Sequence, residues 1–444
     1  VTTAGVVTAT GSITVNGVKY ETNGATVAKE GAPLDTTVLT EGMVVTVHGR
    51  RETGAVVGTA EAVEIVVSLR GTLTAVGQGE IEILGQRVTI DEDTVLDNGT
   101  NDLELSEFTI GNFVEISGIV LPQGGLVASR VQLLNQPPAT PKTTGLACNP
   151  LPGSFQIGDL TVHYEADDLV GFNGPVPQAD DYVEVRGTLS APLQLIADRV
   201  EKLNGPQADR ENLELEGNLL DRGGDLEIIS PVGKVPLRIT PQTQYSGGTT
   251  ADLTNGRRLL AAGDFRGGIL TVRTVLFAEK IQLWAAAQSA DSNTGRIGLR
   301  NLPGMDIQTD GRTLFLEKRP EMPNKPTFPE VLNTLTNAEW LWIKGRLNSP
   351  GVLTATKIRI DAGPVTDGRT EMMAPVDASS SGPDLQILGL IVHTVPATEF
   401  YDTDGNAIAS DPFFTVLSAG TKVKVLGTTT AVDTITAQQI SLED

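Results

Sequence analysis

A single cysteine, Cys148, in 444 residues excludes an internal disulfide framework. The three histidines, His48, His163 and His393, lie in unrelated phrases, and no His/Cys cluster has zinc spacing. No apolar run approaches the ~20 residues of a membrane span. Aromatics are scarce, with three Trp, five Tyr and eleven Phe, so recurring stacking platforms for bases or sugars are hard to build. Acidic residues outnumber basic ones 55 to 33, for a net charge of −22. Without a basic stripe to neutralise phosphates, nucleic acid is excluded as a partner. G-x-S-x-G, G-x-x-x-x-G-K and H-E-x-x-H are all missing. Carboxylates such as Glu115 and Glu184 fall on alternating outward strand positions, where a solvated face accounts for them. Cys148 has no basic neighbour to stabilise a thiolate and reads as a bystander. These absences point away from an enzyme.

What the sequence does contain is a short strand phrase ending in glycine: VTVHG at 45–49, VEISG at 114–118, VEVRG at 183–187, LLAAG at 259–263, LWIKG at 341–345 and VKVLG at 423–427. The spacing of its glycines is that of one small domain, so the chain reads as six related modules. Each module opens with a variable strand. A second, alternating strand then meets a tight turn, as at Asn16-Gly17 and Asp310-Gly311. A third strand returns, a connection of variable length follows, and the glycine-terminated strand precedes a closing strand. The closing strand carries two apolar residues three apart: Ala60 and Val63, Ala128 and Val131, Ala197 and Val200, Val272 and Val275, Ala355 and Ile358, Ala437 and Ile440. Strict alternation would put them on opposite faces. A β-bulge between them returns both to the core and is predicted in most copies.

The expected fold is therefore all-β: six tandem five-stranded OB-like barrels in a row, with a small sandwich as the alternative. The modules run 1–68, 69–142, 143–210, 211–288, 289–365 and 366–444. A Pro-rich spacer lies at 135–142, with polar joints at 204–212, 285–293 and 361–368. The first two modules meet without a linker, because 63–76 reads as one strand running into the next.

GSITVNGVKYET at 11–22, LTEGMVVTVHG at 39–49 and AEAVEI at 60–65 resemble bacterial domain-of-unknown-function family 5666. The likeness is close in modules one and two, fair in three and six, and weak in four and five. The resemblance implies tandem β-repeats carried behind export or lipoprotein signals, and so a place outside the bacterial cell or in its envelope. It supplies no catalytic residue. The chain opens at Val1 with no signal-like segment, which leaves a removed leader or a lipid anchor ahead of Val1 as the expectation.

Two features suggest contacts. In the glycine-terminated strands, positions −2 and −4 from the glycine face the core and −3 and −5 face out. In module five the outward places hold Trp342 and Trp340, beside Lys344, and read as an interface for another protein or for self-association. The alternative is that 317–338 folds over them. The second feature, Asp402, Asp404 and Asn406, begins like a calcium loop, yet Phe413 stands where the bidentate Glu belongs. A hairpin turn on Asp404-Gly405 explains it equally. An acidic connection around Asp91, Glu92, Asp93, Asp97, Asn98, Asn101 and Asp102 reads as a solvated loop. The expected function is a non-catalytic structural or protein-binding scaffold, able to assemble into a surface fibre. The alternative is a glycan- or divalent-cation-binding protein using its connections.

Overall fold

A computed structural model describes the chain except residues 10–11, 53–54, 92, 138–139, 279–280, 311–312, 318–329, 337–338, 350, 363–368, 379, 381, 404 and 444. The chain divides into two compact units, Val1–Ala278 and Glu279–Asp444. It is all-β and builds repeated five-stranded barrels in three sheets. No helix among the described residues is long and apolar enough to cross a membrane.

The first barrel shows the plan. Thr2–Ala9 pairs with Ile13–Val15, which turns through Asn16 and Gly17, both at positive φ, into Val18–Glu21. Val18–Glu21 runs parallel to the closing strand Val57–Val66, which pairs with Val44–Arg50, which returns to Thr2–Ala9. The strand order is 1-2-3-5-4-1. The same path recurs over 69–134, 210–277 and 281–362; over 142–202 the first strand is interrupted at Ala147, and over 370–443 the first and second strands meet only at the Val376–Ile387 bridge.

Every closing strand carries the expected bulge. His48 pairs with Ala62 but Gly49 with Ala60, leaving Glu61 as the extra residue. Ser129, Asp198, Arg273, Thr356 and Gln438 occupy the same place in the other copies. The apolar pairs that flank the bulge are all buried, as the core requires. The bulge also explains the glycines. It pushes a closing-strand carbonyl against the glycine Cα, so that a Cβ would lie 2.5 Å from Val127 O at Gly118 and 2.6 Å from Thr436 O at Gly427. Gly49, Gly187, Gly263 and Gly345 meet the same obstacle.

A second recurring device was not read from the sequence. The Thr94 hydroxyl donates to Ala128 O at the bulge (2.9 Å) while its oxygen accepts the Asp91 N–H. Thr243 does the same between Val272 O and Thr240 N, Thr313 between Ala355 O and Asp310 N, and Thr398 between Ala437 O and Val395 N. One threonine thus ties the turn after the third strand to the bulge carbonyl.

Within Val1–Ala278 the barrels do not pair in sequence order. The first strand of the first barrel lies parallel to that of the fourth, with Thr2 opposite Leu213 and Ala4 opposite Leu215. The second and third join through Lys142 opposite Arg70 and Thr143 opposite Leu69. In Glu279–Asp444, Leu283 faces Met372 across the corresponding joint. The reason is apolar: Ala4, Leu69, Leu213, Leu215, Leu283 and Met372 at these joints are all buried. Of the 285–293 segment expected as a polar joint, residues 285–291 belong to the strand Ile281–Asp291, whose Ala285, Ala286 and Ala287 are buried, and only 292–293 lie in a turn. The first two barrels do meet directly, with Val67 and Ser68 buried between their strands.

Candidate functional site

Trp340, Trp342 and Lys344 lie on the face assigned from the sequence, away from the core that holds Leu341 and Ile343, but they are not exposed. Trp340 is 2% exposed, Trp342 8% and Lys344 9%, so little of these side chains is open to solvent. The neighbouring strands explain the burial. Trp284 sits opposite Trp342, with its ring 6.2 Å from that of Trp340, and Arg359 faces Trp342 from the other side. The Arg359 guanidinium lies 5.3 Å from the Trp284 ring and 5.4 Å from the Trp342 ring, and the Lys344 ammonium lies 4.8 Å from Trp342. The result is a row in which Trp340 stacks on Trp284, Arg359 lies against both Trp284 and Trp342, and Lys344 against Trp342. The expectation that 317–338 covers these residues falls largely outside the described residues.

Asp402 and Asn406 form a turn. The Asn406 backbone N–H (2.8 Å) and side-chain amide (3.2 Å) both donate to the Asp402 carboxylate, between the strands Glu399–Tyr401 and Ala407–Ile408. Asp404, the third candidate calcium ligand, lies outside the described residues. In the 91–102 connection, Asp97 is buried in a two-pronged ion pair with Arg130 at 2.6 and 2.7 Å. Asp91 and Asn98 accept from nearby backbone N–H groups, and Glu92 is outside the described residues. No group of three or more His, Cys, Asp or Glu with metal-binding geometry occurs among the described residues. Burial and the nearby Asp180 raise the pKa of Cys148, which holds its thiol protonated.

The most built-up polar site lies elsewhere, where all four barrels of Val1–Ala278 meet. Its key is the hairpin of the first barrel, Thr26–Lys29 and Ala32–Leu34, turning at Glu30-Gly31 with φ of 54° and 79°. A non-glycine residue at positive φ is strained. Here the turn carries Glu30 into a cluster of cations: Lys142 at 3.1 Å, Arg70 at 3.2 Å and Arg186 at 3.5 Å. Glu184 pairs with Lys142 (2.8 Å) and Arg186 (2.7 Å), while Glu115 pairs with Lys29 (2.9 Å) and Arg70 (3.4 Å). Burial pushes the Glu30 carboxyl up, but Lys142, Arg70 and Arg186 outweigh it and hold the group below the ordinary carboxylate range.

Beside this network lies a cavity of about 130 Å³, walled by Glu64 from the first barrel, Ser68 from the second, Thr144 and Tyr182 from the third and Ser230 from the fourth. Burial, and then Glu184, raise the pKa of the Tyr182 phenol, so it remains a hydrogen-bond donor. Two signals for this junction were in the sequence. The first is Lys142, the last residue of the Pro-rich spacer, and the second is the Glu-Gly pair at 30–31.

The chain belongs to the family described as Domain of unknown function (DUF5666), which matches residues 4–64, 70–132, 288–359 and 374–441, more than half of the sequence. The match takes in the fifth barrel and leaves out the third, the reverse of the order in which the sequence ranked them. No curated protein matches the chain. Among solved structures, drosophila Unr CSD456 is similar at 15% identity over 47% of this chain and 95% of that one. The TM-score of 0.12 is too low to carry any argument.

Proposed function

We propose that the chain is a non-catalytic scaffold of the bacterial envelope or exterior, built of six OB-like modules and presenting their variable connections to protein partners. The OB-like reading rests on five strands in the order 1-2-3-5-4-1 with the third and fifth parallel. The observation that carries the proposal is where the repeats vary. Every copy keeps the glycine, the bulge and the two buried apolar residues beside it. The differences gather between the third and fourth strands: hairpins at 26–34 and 399–408, and short helices at Glu330–Thr334 and Ser410–Val416 where the first four copies carry a 3-10 turn. Uniform cores with varied connections suit a spacer that holds many contact loops at fixed places. The envelope or exterior location rests on the resemblance to exported repeat proteins.

Sedimentation velocity and electron microscopy of the purified chain across a concentration series test the proposal. Regular oligomers or fibres are the expected form of a self-assembling scaffold. Single particles at every concentration remove self-assembly and leave a heterologous partner, which cross-linking in a bacterial envelope fraction would identify. Turnover of any substrate by the pure protein would overturn the non-catalytic reading.

A further inference from the structure

We infer that the cavity where the four barrels of Val1–Ala278 meet is a binding site for a small, uncharged polyhydroxylated compound, a polyol or single sugar ring. Three polar groups on its wall lack partners. Tyr182 is 5% and Thr144 7% exposed, and among the described residues neither hydroxyl makes a hydrogen bond or is sealed from solvent, so both are open to a ligand in the cavity. Half-buried Glu64 has no ion pair or hydrogen bond among the described residues. The other charged groups here satisfy one another.

Charge bookkeeping selects the ligand class. The paired groups are four cations, Lys29, Arg70, Lys142 and Arg186, and three carboxylates, Glu30, Glu115 and Glu184. Glu64 brings the sum over the whole network to zero, and of its charged groups Glu30, Glu64, Glu184, Lys142 and Arg186 line the cavity itself, a balance that disfavours an anion and supplies no strong field for a cation. What remains is one carboxylate that needs donors and two hydroxyls that can donate or accept. Vicinal hydroxyls meet all three needs. The carbon skeleton would rest on Ile119, Leu203 and Pro231, which also line the wall. About 130 Å³ is roughly ten times the ~10–15 Å³ that one water requires, room for a polyol of about three to six carbons.

The test uses the full chain with two probes, xylitol for the open chain and methyl α-glucopyranoside for the ring. Binding is followed by saturation-transfer NMR and calorimetry. Saturable binding of at least one probe is expected, and which one binds decides between chain and ring. Glu64→Gln should weaken it at least tenfold and Tyr182→Phe several-fold, with far-ultraviolet circular dichroism and melting unchanged in both. Choline chloride should not compete. The inference is overturned if neither probe binds saturably, if both variants bind like the parent chain, or if choline displaces the probe.

Discussion

Replacing Gly187 by alanine isolates the physical reason for the glycine that ends every fourth strand. The added Cβ would overlap the carbonyl oxygen of Ile196 and come within 2.6 Å of Leu195 Cδ2 and 2.8 Å of Ala197 Cα. Two of these three obstacles are backbone of the bulged strand, which cannot rotate away, so relief requires moving the bulge itself. Overpacking of this kind costs about 1–3 kcal/mol, and a backbone obstacle places it at the upper end. Gly174, in the same barrel, has nothing within 4 Å of an added Cβ and no positive φ. Gly174→Ala should therefore be neutral or stabilising by about 0.4–1 kcal/mol, through the unfolded chain. The two alanines should differ by about 3 kcal/mol. In a unit of this size that is about 5 °C in melting temperature, read by circular dichroism. If they melt within about 1 kcal/mol of each other, the steric account of the glycines is wrong.

Glu30→Gln should lower the stability of Val1–Ala278 by about 1–2 kcal/mol at neutral pH, since it leaves Lys142, Arg70 and Arg186 sharing one carboxylate fewer. Because the folded protein holds Glu30 below its ordinary value of 4.5, its contribution is complete above that pH and is lost as pH falls below it. The parent should thus lose stability more steeply in acid than Glu30→Gln, and parallel melting curves from pH 7 to about pH 3 would contradict this. Trp340→Ala should cost Glu279–Asp444 about 3–5 kcal/mol, the range for emptying a buried indole site. Urea unfolding followed by the remaining tryptophans gives the value, and a loss under 1 kcal/mol would show that Trp340 is not packed. Thr398→Val should cost about 1–2 kcal/mol by leaving Ala437 O at the bulge without its hydroxyl donor, checked in the same assay.

Short-range rules made the barrel plan legible. A glycine after an alternating phrase, and two apolar residues three apart on the next strand, have one economical solution, the bulge, and it is present in every copy. The outward direction of Trp340 and Trp342 followed from the same alternation. Their burial did not, because it depends on Trp284 and Arg359, which reach them from neighbouring strands. The threonine tie to the bulge spans a connection of variable length, so no fixed spacing announces it. The junction was hidden for a related reason. Glu30-Gly31 is a poorer turn signal than Asn-Gly, and the partners of Glu30 come from the second and third barrels.

That junction answers a problem that repetition creates. Barrels that share one core grammar also share similar apolar first strands, and apolar edges alone do not tell one neighbour from another. Yet the pairing in Val1–Ala278 is selective: first with fourth in parallel, second with third antiparallel. Charged residues that differ between copies supply the distinction. Arg51 of the first barrel pairs with Glu214 of the fourth at 2.5 Å, and Glu216 accepts the Val6 N–H beside it. Arg70 and Lys142, opposite each other where the second and third barrels join, both reach Glu30 of the first. Lys142 has only 3% of its side chain exposed, so its desolvation consumes much of what its ion pairs return. A partner pairing that left it without carboxylates would lose several kcal/mol more. On this argument the network adds little to net stability and much to the choice of neighbour. Moving the Glu30 hairpin into another barrel should therefore disturb which barrels pair before it disturbs whether they fold.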